Sequence, residues 1–362
     1  MKIEVYSPTI RRKEMDAVLT AMVEDKIGPG ERSRLLIQTA KEYLRFDYAL
    51  APRSPAIALG LALKALNLAD GEGVLLSALS PSYYSHVIED LRLTPLYCDV
   101  SLSFPCVDSE AVEKALAEKG DVQVRCILLH HTLGFVPDTA SIAELGLPII
   151  EDISQSYGTF FTGTGGRKGA GQTEQKEGSA PVKDRIHGVF TILGLEERDM
   201  LTSGGGALLF AANRTDGSVL RNYADIPDEY CLPDINAAMA TVQFKETARN
   251  MERRKEIAGI YAQASLRTKH KRFISLEGGE YNNYAFPLAL ETGLKDVVAY
   301  ARKKDIAVES AFERTPAGTG KCDSRRCPAA YSLSLRTVLF PLYPRLRSQE
   351  VERVSKLIMT LP

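Results

Sequence analysis

The sequence predicts an α/β chain: a mostly parallel sheet covered by helices on both faces, followed by a smaller α+β unit. Three observations carry this. From Gly73 onward, apolar runs of strand length at Val74–Ala78, Pro95–Val100, Val122–Leu129 and Leu147–Ile150 alternate with helical segments at Ser82–Leu91, Ser109–Lys119 and Thr139–Leu145. Such alternation builds a parallel sheet with both faces covered. The 362 residues are enough for two domains around large cores. After a long helical stretch at Ala237–Leu266 the elements become short and mixed: strand Tyr284–Leu290, helix Lys295–Lys304, strands Ile306–Glu309 and Thr337–Phe340, and a closing helix Ser348–Leu361. The expected division is a sheet domain over residues 1–240, with an insertion at 162–185, and a C-terminal domain over 241–362.

Taken in order, Lys2–Tyr6 reads as a short strand or arm rather than a signal peptide. Arg11–Val23 has helical spacing, with Met15, Val18, Leu19 and Met22 on one side. Ile27-Gly28-Pro29-Gly30 breaks it, Arg32–Leu44 forms a second helix, and Tyr48–Ala51 a short strand. Ser54 is an N-cap candidate, and Pro55 suits a first helical turn. The helix behind them is apolar on most sides and is expected to be buried. Thr162–Arg185 is rich in Gly, Lys, Gln, Glu and Ser and has no apolar period. It reads as a mobile loop, either a solvated excursion or a cover over the pocket mouth. Arg249, Arg253 and Arg254 read as a solvated helix face.

Composition removes several function classes. A formal net charge of −1 gives no electrostatic basis for binding nucleic acid or an anionic membrane. No apolar run approaches a membrane span, so a soluble, cytoplasmic protein is expected. Cys98 and Cys126 sit in apolar runs and read as buried free thiols. Cys322 and Cys327 lack a second Cys or His pair, so they read as two free thiols in a surface loop, and no metal site is expected. His130 and His131 end a strand; a hydrogen-bonded structural role is favoured over a metal ligand.

The stretch most telling of function is Pro148-Ile149-Ile150-Glu151-Asp152-Ile153-Ser154-Gln155. Two carboxylates close a short buried strand, where ligands of open α/β sheets sit. This Glu-Asp-x-x-Gln pattern resembles the sugar aminotransferases of the DegT/DnrJ/StrS type, which use pyridoxal phosphate (PLP). Their fold is that of the aspartate aminotransferases, a PLP-dependent transferase of fold type I. The likeness extends to Leu220-Arg221-Asn222, to Pro233–Ala240 and to Leu339-Phe340-Pro341-Leu342-Tyr343-Pro344. It implies that Asp152 pairs with the pyridine nitrogen and that Gln155 lies near the phenolic oxygen. It implies phosphate contacts from Thr191 and, at the start of the Ser54 helix, from Ser54. It also implies a homodimer with a nucleotide-sugar ligand.

The chain departs from the family pattern in three places. Pro55 and Ala56 stand where a donating Gly and Thr belong, and Pro81 where an aromatic residue stacks on the ring, with Tyr83 and Tyr84 nearby. The third departure is the lysine that forms the Schiff base. Its segment here reads Gly194-Leu195-Glu196-Glu197-Arg198-Asp199-Met200, and no lysine lies between Lys183 and Lys245. Glu196 or Arg198 takes its place, and neither supplies an amine nucleophile. The reading is therefore a sugar aminotransferase homologue with a degraded PLP site. It binds no cofactor covalently, is not a working transaminase, and serves as a nucleotide-sugar-binding or partner protein. The alternative is an active enzyme that uses PLP or pyridoxamine phosphate non-covalently.

Overall fold

A computed structural model describes residues 2–161, 186–276 and 278–362. The expected insertion at 162–185 lies outside the described residues. In order, the elements are α1 (Arg12–Val23), α2 (Glu31–Leu44), β1 (Tyr48–Leu50), α3 (Pro55–Ala65), β2 (Gly73–Ser77), α4 (Tyr83–Asp90), β3 (Thr94–Cys98), α5 (Ser109–Ala117) and β4 (Val124–His130). There follow α6 (Thr139–Ala143), β5 (Ile149–Asp152), β6 (Phe160–Phe161), β7 (Phe190–Gly194), β8 (Ala207–Ala211), α7 (Arg214–Arg221) and α8 (Asp234–Ser265). The rest are β9 (Gly279–Glu280), β10 (Phe286–Ala289), α9 (Leu294–Arg302), β11 (Glu309–Ser310), α10 (Pro328–Arg336), β12 (Thr337–Phe340) and α11 (Ser348–Met359).

The predicted α/β architecture is present. A seven-stranded sheet runs in the order β1-β8-β7-β5-β4-β2-β3, with β2, β3, β4, β5 and β7 parallel and β8 antiparallel to β7. Every residue of β2, β7 and β8 is buried, as strands covered on both faces require. On one face Leu59, Ala62 and Tyr84 of α3 and α4 pack on Leu76, Leu128, Ile150 and Ile192. On the other, Leu36 and Leu44 of α2 and Phe244 of α8 pack on Leu193 and Phe210. A second sheet, β10-β12-β11, carries the smaller C-terminal unit. Its core joins Ile257 and Tyr261 of α8 to Phe286, Leu288, Val338 and Phe340. The N-terminal arm docks there too, since Ile3 bridges to Ile306. Residue 240, the expected domain boundary, falls inside the continuous helix α8.

Local structure adds one finding and corrects two expectations. Met15, Leu19 and Met22 of α1 are 56%, 58% and 53% exposed, so the apolar stripe is not packed within this chain. Arg254 is buried, not solvated: its Nη1 donates to the carbonyls of Asn283, Tyr284 and Leu342. Those carbonyls stand at irregular chain ends, where a buried C=O needs a donor. Cys322 and Cys327 are free thiols as expected, but both are buried in the core under α10 rather than on a surface loop. No helix among the described residues is long and apolar enough to cross a membrane, and no group of three or more His, Cys, Asp or Glu there could hold a metal ion.

Candidate active site

Side chains along a strand alternate between faces, so Glu151 and Asp152 at the end of β5 point to opposite sides of the sheet. Glu151 takes the structural side and is fully buried. Its Oε1 accepts from the backbone N–H of His187 and of Gly188, both at 2.6 Å, and its Oε2 from His131 Nε2 at 3.2 Å. His131 Nδ1 bonds Ser156 Oγ at 2.7 Å. His131 is thus a satisfied core residue, as its sequence position suggested.

Asp152 faces the side of α3 and α4. Its Oδ2 accepts from Tyr84 Oη at 2.5 Å and lies 3.5 Å from Tyr83 Oη. Its Oδ1 accepts from Ser154 N–H at 2.9 Å and Ser154 Oγ at 2.5 Å. These donors are all neutral, so this 2%-exposed carboxyl is solvated by dipoles alone. Burial, reinforced by the Asp152 charge, pushes both tyrosines well above the usual phenol range, which keeps them as donors. Beside them His130 stands edge-on to Tyr84, and burial lowers it to about 4, so its ring is neutral.

The other residues singled out from the sequence divide. Gln155 Oε1 accepts from Leu133 N–H at 2.7 Å, fixing the turn after β4 in which Leu133 has φ 55° and Gly134 φ 85°. Ser54 caps α3, its Oγ accepting from Ile57 N–H at 3.2 Å. With Pro55 at the first position, Ala56 keeps the first N–H of that helix. Thr191 is not brought to Asp152. In register it lies beside Glu151 and Phe210, on the α2 and α8 face, and its buried Oγ1 has no hydrogen-bond partner among the described residues.

Between β7 and β8 the structure adds a residue the sequence reading passed over. Arg198 turns outward, binding Glu309 at 2.7 and 3.3 Å and lying over the Tyr6 ring. Asp199 turns inward. Its Oδ2 accepts from Glu196 N–H at 2.9 Å. A Cβ on Gly194 would stand 2.2 Å from that oxygen and 2.9 Å from Ser154 Oγ, so only glycine leaves room for both groups beside it. Burial, followed by the Asp152 charge, raises Asp199 to about 8. The available signal was an acid within the segment where the resembled family has its lysine. Tyr6, Tyr83 and Tyr284 all lie within electrostatic reach of it.

Relatives agree with this architecture. The L-glutamine:2-deoxy-scyllo-inosose aminotransferase of Streptomyces lividus is 28% identical over 246 residues, 60% of this chain and 53% of that protein. The match thus spans about half the length of that curated relative. Among solved structures, the aminotransferase TlmJ of Streptoalloteichus hindustanus superposes with a TM-score of 0.84 at 17% identity, covering 99% of this chain and 98% of that one. A Streptococcus pneumoniae protein described as a sugar aminotransferase, in its PLP form, gives 0.85 at 18% identity over 99% and 98%. Its PMP form gives 0.83.

These relatives overturn the expectation of a degraded homologue without catalysis. The curated relative is a named aminotransferase, and a protein of the same fold is captured with the cofactor in both forms. The family model for DegT/DnrJ/EryC1/StrS aminotransferases matches residues 8–177 and 213–359, and the chain belongs to that family.

Proposed function

We propose that this chain is a PLP/PMP-dependent enzyme of the sugar aminotransferase type that holds its cofactor non-covalently. The observation that carries the reading is Asp152: a buried carboxyl at the carboxyl end of β5, surrounded by neutral donors only. Such a group complements a protonated ring nitrogen, which brings the charge that its present partners lack. The donor set fits the cofactor's ring, and the Ala56 N–H at the start of α3 fits its phosphate. It does not fit a covalent tie, because Gly194–Met200 holds no lysine. When bound, the cofactor supplies the electron sink for exchanging an amine at a sugar carbon.

The chain's own residues have separate tasks in this reading. Asp152 holds the ring nitrogen in its protonated state. Tyr84 and Ser154 fix the carboxylate, and Tyr83 lies beside it. Gln155 holds the turn after β4 that borders the site. Ser54 orients the first turn of α3 by its cap. The substrate is a nucleotide sugar or a related sugar ketone, in line with the names of the relatives. The active form is a homodimer in which a second copy covers the exposed Met15, Leu19, Met22 and Val23 on α1.

The test is to titrate the purified protein with PLP and with pyridoxamine phosphate, following near-ultraviolet absorbance. The mixture is then supplied with glutamine or glutamate and a keto-sugar nucleotide, and the aminated sugar is sought by mass spectrometry. Saturable binding of the cofactor is expected, with the intact mass of the chain unchanged after borohydride reduction. A stoichiometric pyridoxyl adduct on a lysine would remove the non-covalent part of this reading. Failure to bind either form would remove all of it.

A further inference from the structure

The segment between β7 and β8 places an acid where the family pattern places an amine, and the charge logic of the site changes with it. Asp199 is oriented by the Glu196 N–H and lies over the bare Cα of Gly194, whose N–H donates to Ser154 Oγ. Ser154 Oγ also clamps Asp152. Asp152 and Asp199 therefore flank Gly194 and Ser154 in one small site. The groups facing Asp199 are Asp152 from β5, Glu196 from its own segment, Tyr83 from α4, and Tyr6 and Tyr284. The nearby cations are turned elsewhere: Arg198 binds Glu309, and Arg254 binds three backbone carbonyls. Asp199 is half-buried.

Resting on the function proposed above, we propose that Asp199 recognises the amino group of pyridoxamine phosphate and sets the site to prefer the aminated form of the cofactor. An ammonium bound there forms a charge-assisted hydrogen bond to the carboxylate. The geometry requires Asp199 to ionise as the cation arrives, and its proton leaves to solvent. Raised to about 8, the carboxyl carries its proton in the free protein at neutral pH, so binding the amine must release it. An alcohol at the same carbon has no such demand.

The experiment compares pyridoxamine 5′-phosphate with pyridoxine 5′-phosphate, which shares the ring and phosphate but bears a hydroxyl for the amine. Binding to the full chain is measured calorimetrically near pH 7 in two buffers of different ionisation enthalpy. We expect pyridoxamine phosphate to release more protons than pyridoxine phosphate, because the raised Asp199 carboxyl holds its proton in the free protein. A preference of about tenfold should accompany it and grow as pH rises toward 8, as one charge-assisted hydrogen bond predicts. Asp199→Asn should abolish both. Equal proton counts for the two ligands on the native protein, or an Asp199→Asn variant that keeps the preference, would overturn the role of Asp199 and leave the function standing. If neither ligand binds, the function itself fails.

Discussion

Glu151 and Asp152 offer a sharp test, because neighbours of identical charge type are assigned opposite roles. Asp152→Asn preserves shape and keeps an acceptor for Ser154, and Tyr84 Oη can accept from the new amide. The expected stability cost is under about 1 kcal/mol, within the range of a single exchanged hydrogen bond. Its effect falls on the ligand: a charge-assisted bond to the ring nitrogen is worth about 1.5–3 kcal/mol, so pyridoxamine phosphate should bind roughly 10- to 150-fold more weakly. Glu151→Ala does the reverse. It strands the His187 and Gly188 N–H groups and His131 Nε2, three donors to the buried carboxylate. At about 1–3 kcal/mol per stranded buried group, a loss of at least 3 kcal/mol is expected, with the affinity of the folded fraction nearly unchanged. Urea unfolding and calorimetric titration of both variants decide the matter. If Asp152→Asn destabilises as much as Glu151→Ala and binds the cofactor normally, the division of roles by sheet face is wrong.

Three further outcomes are expected. Arg254→Met should cost about 3 kcal/mol or more in urea unfolding, because three buried carbonyls lose their donor; a loss near zero would show that water replaces it. Asp199 has a folded-state pKa raised above the ordinary carboxyl value to about 8, so the folded protein holds this proton more tightly than the unfolded chain. Its contribution is favourable at low pH and is lost as pH rises through that window. Asp199→Asn should therefore raise Tm more at pH 8 than at pH 5, and an equal gain at both would contradict the assignment. Finally, Leu19→Glu with Met22→Lys on α1 should shift sedimentation from dimer to monomer while leaving the far-ultraviolet dichroism intact. A native protein already monomeric at micromolar concentration would remove the proposed interface.

The sheet was legible because alternating apolar runs and helical periods report burial directly. β2 and β4 overlap the predicted strands, each extending one residue beyond them, and β12 matched its predicted bounds. The place of Asp152 at a strand end was legible too, from the short apolar run before it. Thr191 was not, because a motif gives distance along the chain but not the face of the sheet. One residue of offset separates Thr191 from Ile192, the neighbour of Asp152 across β5 and β7. Arg254 hid among charged neighbours on a helix that looks solvated throughout, although the carbonyls it serves come from 29 to 88 residues away. The apolar stripe of α1 showed the right helix, but periodicity cannot say whether this chain or another covers it.

The change from amine to acid also explains why the site holds together without its lysine. In the pattern the chain resembles, a lysine stands in the segment that here holds Asp199. Here Asp199 and Asp152 are both acids, and as two bare carboxylates they would repel strongly in a water-poor setting. Asp199 avoids this by keeping its proton, helped by burial and by the charge already on Asp152. The free site then carries one negative charge rather than two, with Tyr83 and Tyr84 as uncharged donors beside it. Adding a cation at the ring nitrogen neutralises Asp152 and weakens the field that kept Asp199 protonated. A second cation, the amine, can then take the place of that proton. Binding of the two positive groups should thus be mutually reinforcing, and Asp152→Asn should reduce the proton release assigned to Asp199 as well as the affinity. Unchanged proton release in that variant would mean that burial alone, not the neighbouring charge, controls Asp199.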